Sequence, residues 1–403
     1  MKNEAVDIYD AFSVEFKLVL LCSYPKIEEV NRQAINHLLA ETIDWNLFLD
    51  LAERHRVYPL IYQCLAALSN SAVPDRIITV LRKIRWENTS KTLQMTGELV
   101  NVLQAMEENE VRVVVLKGFP LGFVLYSNLS LRPSRDLDIL VWPDDVDNAI
   151  KVIENQGYER IYPSPVVEYV WLRDWMKTNH HFEYWHKDKE ILLELHWRLG
   201  HYGMEMPLSE IENCLTQVTI AGHAVCILGT EELLVFLVLH GASHAWFRLK
   251  WLCDVGVILR QGRFSWERLY ALSERLGIEA LLNQAVILAQ HLLHAPVPDN
   301  IARRITKDRK ALNLAGMVLP FIASVSYAPV NLKIGMPLYY HSKKYEFSVQ
   351  LGCSKKLAYL YNKLLPRDRH IELIALPGYL YLLYYLLRSF NWCNHRVMKL
   401  ARR

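Results

Sequence analysis

The stretches LKGFPL (residues 116–121) and RPSRDLDILV (residues 132–141) decide the fold predicted for this chain of 403 residues. A short β-branched run leads into the first stretch, which then turns at a Lys-Gly dipeptide. In the second stretch an Asp-x-Asp pair opens an apolar run. Short β-branched runs bounded by turn residues are typical of strands, so we predict two strands connected through this turn.

Asp136 and Asp138 open the second of these strands. Side chains two residues apart in a strand point to the same side, so the two carboxylates are predicted to lie side by side. Carboxylates at that distance repel each other unless a cation lies between them. Magnesium binds through oxygen ligands, usually one or two carboxylates together with substrate phosphates. The pair therefore predicts a metal site for phosphate chemistry.

The composition is that of an ordinary globular protein and excludes few classes of function. There are 46 Lys and Arg residues against 43 Asp and Glu residues, and this balance does not require a nucleic acid as partner. The seven cysteines are scattered without a C-x-x-C pair, which favours reduced thiols in the cytoplasm over disulfides or a zinc site. The polar, acidic residues 1–10 predict that there is no signal peptide.

The periodicity of apolar residues changes twice along the chain. It is helical at first, then typical of strands, and then helical again to the end. We predict an α+β protein in which a small mixed β-sheet core is flanked by helical regions. The predicted divisions are an N-terminal helical region (1–108), an α/β core (109–228) and a C-terminal helical region (229–403).

A β-hairpin is predicted within the core, from HHFEYWH (180–186) and ILLELHW (191–197) joined by a polar turn. In the second arm, Glu194 and His196 share one face of the strand. The first arm carries three histidines that at first sight suggest a zinc cluster. Because there are no cysteines and no matching spacing, we interpret them as the polar face of the hairpin.

The stretch over 371–387 is rich in Leu and Tyr and could be mistaken for a membrane span. It contains Glu372, Pro377 and Gly378 and falls short of the roughly 20 residues that a spanning helix needs, so we predict no transmembrane segment. A buried helix is the favoured interpretation. The basic tail that follows leaves contact with a membrane surface as the alternative.

The motifs of the chain occur in a characteristic order. They are LKG at 116–118, Arg132, DLD at 136–138, ELHW at 194–197, and a helix with His240 and His244 followed by RLKW at 248–251 and Asp254. In this order, across residues 95–290, they resemble a bacterial family of proposed nucleotidyltransferases. That family is similar to the superfamily that includes DNA polymerase β and the minimal nucleotidyltransferases.

The resemblance implies an enzyme that transfers a nucleoside monophosphate from an NTP to a hydroxyl or similar acceptor and releases pyrophosphate. It implies Mg²⁺ or Mn²⁺ as cofactor, with two ions at the site. By the match, Asp136, Asp138 and Glu194 are the catalytic, metal-binding residues, with Glu194 on the neighbouring strand. Gly118 falls in the turn whose backbone amides receive the triphosphate.

Four further side chains lie close to these positions in the sequence. Lys117 and Arg132 match the family and are predicted to contact phosphates, the lysine as a point charge and the arginine as a two-pronged donor. Arg135 alternates with Asp136 and is predicted to face away, into solvent. His196 is predicted either to contact metal, phosphate or acceptor, or to orient the neighbouring carboxylate.

The match also implies binding residues in the C-terminal helical region. His240 and His244 lie four residues apart on one helix face and can share a ligand, although satisfied interior histidines are the alternative. Arg248 and Lys250 are predicted to line a nucleotide or acceptor pocket, because clefts between domains are common ligand sites.

The turn departs from the superfamily at one position. Phe119 follows Gly118 where superfamily enzymes usually have Gly-Gly or Gly-Ser, which bears on donor choice and on activity.

Three alternatives stay open: a toxin-like transferase that modifies tRNA, an enzyme that tailors a peptide natural product, and a non-catalytic nucleotide-binding scaffold. The sequence does not fix the acceptor (small molecule, peptide or RNA), the NTP or the oligomeric state.

Overall fold

The computed structural model describes residues 12–24, 29–68, 71–164, 172, 175–177, 179–201, 204–324, 336–350 and 352–364. The apolar stretch over 371–387 and the basic tail lie outside these residues, and so does the predicted contact with a membrane surface. Within the described residues, no helix combines the length and the apolar character needed to span a bilayer.

A mixed β-sheet forms the centre of the described structure. Its strands, together with a small separate pair, are β1 (Val113–Val115), β2 (Asp136–Val141), β3 (Tyr158–Tyr162), β4 (His181–His186), β5 (Ile191–His196), β6 (Leu199–His201), β7 (Met204–Met206), β8 (Leu215–Ile220) and β9 (His223–Leu228). The large sheet has the order β3-β4-β5-β2-β1-β9-β8, and β6 pairs with β7. Strand β2 is central, antiparallel to β1 and parallel to β5. The two predicted strands are confirmed, and so is the hairpin, as the antiparallel pair β4–β5.

Helices precede, interrupt and follow the sheet. They are α1 (Val14–Cys22), α2 (Glu29–Leu38), α3 (Trp45–His55), α4 (Tyr58–Leu68), α5 (Asp75–Glu108), α6 (Phe119–Tyr126), α7 (Val146–Asn155), α8 (Thr230–Ser243), α9 (Leu249–Gln261), α10 (Trp266–Leu276), α11 (Glu279–Leu293), α12 (Asp299–Ile305), α13 (Arg309–Ala323), α14 (Met336–Ser348) and α15 (Cys353–Leu364). The predicted α+β class with helical flanks is confirmed.

The alternation of side chains on β2 separates two hydrophobic cores. Leu137, Ile139 and Val141 are buried in one core, with the second half of α5 and with α7. Leu140 belongs to the other core, which is built by the N-terminal and C-terminal helices. Because residues two apart share a face, the Asp-x-Asp pair points to the same side as Leu140. The carboxylates therefore face the two helical regions.

The N-terminal and C-terminal helices meet over this face. Arg54, in the last turn of α3, donates hydrogen bonds to the carbonyl oxygens of Phe321 and Ile322, at 2.5 and 3.0 Å. The next residue, His55, accepts the backbone N–H of Leu249, the first residue of α9, across 3.0 Å. The last turn of α3 is thus held beside the start of α9.

Candidate active site

Two carboxylates face each other across the parallel strands β2 and β5. Asp138 is in register with Glu194. Asp138 is buried, with 1% of its surface exposed, and Glu194 is half-buried. Neighbouring strands lie about 4.8 Å apart, so paired side chains on one face are close together. The fold therefore brings together two of the three predicted metal-binding carboxylates.

Lys117 contacts both of these carboxylates from the end of β1. Its Nζ lies 2.5 Å from Asp138 Oδ1 and 3.4 Å from Glu194 Oε2. Burial by itself would lower the pKa of Lys117, but the charges of Asp138, Glu194 and Asp136 outweigh it and hold the pKa well above its usual value. Lys117 is therefore a charged ammonium that neutralises the carboxylates around it.

His196 is the second partner of the same carboxylates. Its Nε2 lies 3.1 Å from Glu194 Oε2 and 3.4 Å from Asp138 Oδ1. Burial would lower the pKa of His196, but hydrogen bonds to Asp138 and Glu194 outweigh it and raise the pKa. Burial would raise the pKa of Glu194, yet Lys117 and His196 together hold it well below its usual value. His196 therefore lies where either of its two predicted roles is possible.

Three ligand atoms, one each from Asp138, Glu194 and His196, all lie within 4.8 Å of one another. Oδ2 of Asp138 is buried and accepts no hydrogen bond from any residue that the structure describes. A buried carboxylate oxygen without a partner costs free energy unless a cation or a proton satisfies it. Carboxylate and imidazole donors in this arrangement fit a divalent cation such as Mg²⁺ or Mn²⁺.

Asp136 flanks this group at the first position of β2. It is half-buried, and its Oδ1 accepts a hydrogen bond of 2.8 Å from Ser134 Oγ. Among the described residues, Asp136 does not join Asp138 and Glu194 in one compact set of ligand atoms. It is close enough, however, for its charge to raise the pKa of Lys117. The third predicted carboxylate thus lies at the edge of the group.

The turn between β1 and α6 depends on Gly118. Its φ is +91°, which favours glycine, and a Cβ there would lie 3.4 Å from Ser134 Oγ. The side chain of Phe119 is buried in the core with Leu137 and Ile139. Its bulk is therefore accommodated in the core and not in the turn. The first amides of a helix have no partner within the helix, and α6 begins at Phe119.

Arg132 fastens this turn to helix α9. Its Nε and Nη2 each lie 2.9 Å from Asp254 Oδ2, and its Nη1 donates to the carbonyl oxygen of Gly118 at 2.9 Å. The other carboxylate oxygen of Asp254 accepts the hydroxyl of Tyr126, in α6, at 3.0 Å. Arg132 and Asp254 are both buried. Three nitrogens of the guanidinium are thus engaged inside the protein.

Arg248 and Lys250 lie at the start of α9, next to the turn that precedes β2. Nζ of Lys250 donates to the carbonyl oxygen of Pro133 across 3.0 Å. The guanidinium of Arg248 lies over the rings of Phe247 and Trp251, at 5.2 and 5.9 Å from their centroids. The structure therefore brings these two predicted residues close to the Asp-x-Asp strand.

His240 and His244 pack against Trp251. The ring of His244 stacks on the indole at 5.2 Å, and that of His240 meets it edge-on at 5.0 Å. The two histidine rings are 4.7 Å apart. The two histidines and Trp251 therefore form an aromatic cluster beside Arg248. The histidine rings are close enough to share a ligand, and they are also packed as interior histidines would be.

The histidines of the hairpin divide into two groups. His181 is opposite His196 in the β4–β5 pair, and their rings stack at 5.0 Å. His180, His181 and His196 also offer ligand atoms within 4.8 Å of one another. His186, at the other end of the hairpin, packs edge-on against Tyr158 at 5.1 Å. His180 and His181 thus lie beside His196, close to the carboxylates. Their interpretation as the polar face of the hairpin did not include this proximity.

Arg56 is a further residue that sequence reasoning missed. It follows His55 at the end of α3 and adopts a left-handed conformation with φ of +55°. The hydrogen bond from Leu249 to His55 brings it beside the start of α9. No motif marks it, since its position depends on a contact between segments that are 194 residues apart.

The family described as "Uncharacterised nucleotidyltransferase" matches residues 41–294, which include every element that contributes to the site. The chain belongs to this family. No curated protein and no solved structure matches the chain.

Proposed function

We propose that this protein is a metal-dependent nucleotidyltransferase that transfers a nucleoside monophosphate from an NTP to an acceptor and releases pyrophosphate. The observation that carries the proposal is the register of Asp138 with Glu194, with one oxygen of Asp138 buried and unpaired among the described residues. Membership of a nucleotidyltransferase family supports the same reaction class.

Asp138 and Glu194 would hold the metal, with Asp136 as a further carboxylate at the edge of the group. Mg²⁺ or Mn²⁺, as two ions, would neutralise charge on the phosphate oxygens and favour attack by the acceptor. Lys117 balances the carboxylates in the protein without metal, and its charge remains near the phosphates. His196 either binds the metal or orients Glu194, because it contacts both carboxylates.

The turn at Gly118 would receive the triphosphate on the backbone N–H groups at the start of α6, where Phe119 and Leu121 can donate and Pro120 cannot. The burial of Phe119 supports this role, since its side chain does not fill the turn. Arg132 is better explained as a positioning residue than as a phosphate contact, because Asp254 and the carbonyl of Gly118 engage it. Arg248 and Lys250 would line the pocket on the side of Asp136.

The acceptor stays open among a small molecule, a peptide and an RNA, so the toxin-like and tailoring alternatives keep the same chemistry. The non-catalytic scaffold is less favoured, because the carboxylates, Lys117 and the glycine turn are all present together. The described cysteines are free thiols, which supports the expected cytoplasmic location.

The test is transfer of label from each α-³²P-NTP, with Mg²⁺ or Mn²⁺, to pooled small molecules, peptides and total RNA. The Asp138→Asn variant should transfer no label, whereas Asp188→Asn, at an exposed position of the hairpin turn, should match the wild type. Manganese binding, followed by electron paramagnetic resonance, should be lost in Asp138→Asn alone. Equal manganese binding by both variants would contradict the proposed metal site.

A further inference from the structure

Three segments that are distant in sequence meet on the Asp136 side of the site. The hydrogen bond between Leu249 and His55 places the end of α3 beside the start of α9. The hydrogen bond from Lys250 to the carbonyl oxygen of Pro133 places the start of α9 beside the residues that enter β2. Each segment carries an arginine one or two residues from its contact, namely Arg56, Arg135 and Arg248.

These three arginines lie together, and Asp136 is the carboxylate whose charge reaches Arg56 and Arg248. In the part of the chain that the structure describes, none of them lies within salt-bridge distance of an Asp or Glu. Arg56 and Arg248 are half-buried, and Arg135 is exposed. Arg248 is held by its contacts with the rings of Phe247 and Trp251. The group is thus accessible from solvent on one side.

The charges of the group act on one another. Burial, and then the charges of Arg248 and Arg135, lower the pKa of Arg56 to about 10. Burial and the charge of Arg135 lower the pKa of Arg248, while Asp136 acts in the opposite direction on both. Like charges that are partly buried together destabilise the protein, unless an anion joins them.

We propose that Arg56, Arg135 and Arg248 form a binding site for phosphate groups at the Asp136 side of the active site. The inference rests on the proposed function and adds to it the N-terminal helical region, which supplies Arg56. One guanidinium group can bind two phosphate oxygens at once. A group of several guanidiniums therefore fits a ligand with several negative charges better than it fits a single carboxylate. Arg132 and Lys117 do not belong to this site, because buried carboxylates already engage them.

Phosphate groups at this position have two sources: the polyphosphate of the NTP, or a phosphate on the acceptor. The probes are tripolyphosphate, inorganic phosphate and ATP, titrated calorimetrically in EDTA so that the metal site plays no part. Competition between tripolyphosphate and ATP would assign the site to the donor. Binding of inorganic phosphate together with ATP would assign it to the acceptor.

Arg56→Gln and Arg248→Gln should each weaken the binding of tripolyphosphate or inorganic phosphate by about ten- to a hundredfold, as expected for the loss of a charged hydrogen bond. Arg56→Lys should recover part of the affinity, since it keeps the charge and loses the fork. Arg263→Gln changes an exposed arginine between α9 and α10 and should bind like the wild type. Thermal melting checks that each variant is folded.

Unchanged affinity for these probes in both glutamine variants, or no binding by the wild type, would overturn the phosphate site. The metal site is judged separately, by manganese binding and by label transfer in Asp138→Asn. If the wild type transferred label but did not bind the phosphate probes, the phosphate site would be wrong and the proposed function would stand. If the wild type bound the phosphate probes but neither bound manganese nor transferred label, the proposed function would be wrong and the phosphate site would stand.

Discussion

Arg132 and Asp254 are 122 residues apart in the chain and form a buried ion pair, with two guanidinium nitrogens 2.9 Å from one carboxylate oxygen. The same arginine donates to the carbonyl oxygen of Gly118. The pair therefore connects the C-terminal helical region to the turn that begins α6. The shape of this turn depends on a helix that lies far away in the sequence.

Replacement of Arg132 by methionine should lower the free energy of unfolding by about 3–5 kcal/mol, because it leaves Asp254 buried without its cation. Urea unfolding monitored by circular dichroism measures the change. Arg132→Met/Asp254→Leu should recover much of the loss, since neither charge of the pair is then left without its partner. A loss below about 1 kcal/mol in the single variant would show that the pair does not hold the turn.

Lys117→Met should destabilise the metal-free protein, because Asp138 and Glu194 then repel each other in a buried place without their shared ammonium. The expected loss is about 3–5 kcal/mol in EDTA. Manganese should raise the melting temperature of the variant more than that of the wild type, since a divalent cation would replace the missing charge. An equal rise in both proteins would argue against a cation at these carboxylates.

Acid should weaken the protein through His55. This residue accepts the N–H of Leu249, and burial, with the charges of Arg54 and Arg248, lowers its pKa well below the usual value. The unfolded chain binds a proton near pH 6.5 and the folded chain does not, so stability falls as the pH drops below about 6.5.

The loss through His55 should be about 1 kcal/mol between pH 6.5 and 5.5. His55→Gln retains an acceptor for the N–H of Leu249 and lacks the titration, so its unfolding free energy should fall less over that range. Urea unfolding of both proteins across this pH range, without metal or ligand, measures the difference. Parallel pH profiles for the two proteins would exclude His55 as the source.

Gly118→Ala should reduce both stability and label transfer, because its backbone lies in a region that only glycine adopts readily, with φ of +91° and ψ of −153°. The expected cost is about 1–3 kcal/mol. Gly262→Ala is the matched control: its φ of +60° is also positive, and a Cβ there meets nothing within 4 Å. The two variants should have similar stability, whereas Gly118→Ala should transfer much less label than Gly262→Ala. Unimpaired transfer by Gly118→Ala would remove the turn from the proposed triphosphate site.

Local patterns predicted much of the sheet and most of the carboxylate group. The alternation in β2 and β5 assigned Asp138, Glu194 and His196 to faces correctly, because side-chain direction in a strand has a period of two. The hairpin register also contained the position of His181 opposite His196, since the pairing of His186 with Ile191 fixes it.

Strands β3, β8 and β9 were not predicted. Three of the six side chains of β8 are exposed, and β3 and β8 are the edge strands of the sheet. Edge strands carry a weaker apolar alternation, so the sequences of β3 and β8 resemble loops, whereas β9 is an inner strand to which this reason does not apply. Helix α5 was predicted only as part of a helical region, and its first half packs against a different core from its second half.

By itself, the sequence determined strands β1 and β2, the face on which the aspartates lie, the hairpin, and the α+β class, because all of these follow from local periodicity and turn chemistry. Helix α6, which lies between β1 and β2, was not predicted. The family resemblance implied that Glu194 lies on a strand next to the aspartates, and the tertiary structure alone decided that β5 is parallel to β2 with Glu194 in register with Asp138. It also decided that Arg132 is engaged by Asp254 and that Arg56, at the end of α3, lies beside the start of α9. These are contacts between segments far apart in the chain. They depend on packing and on buried charges that no local pattern encodes.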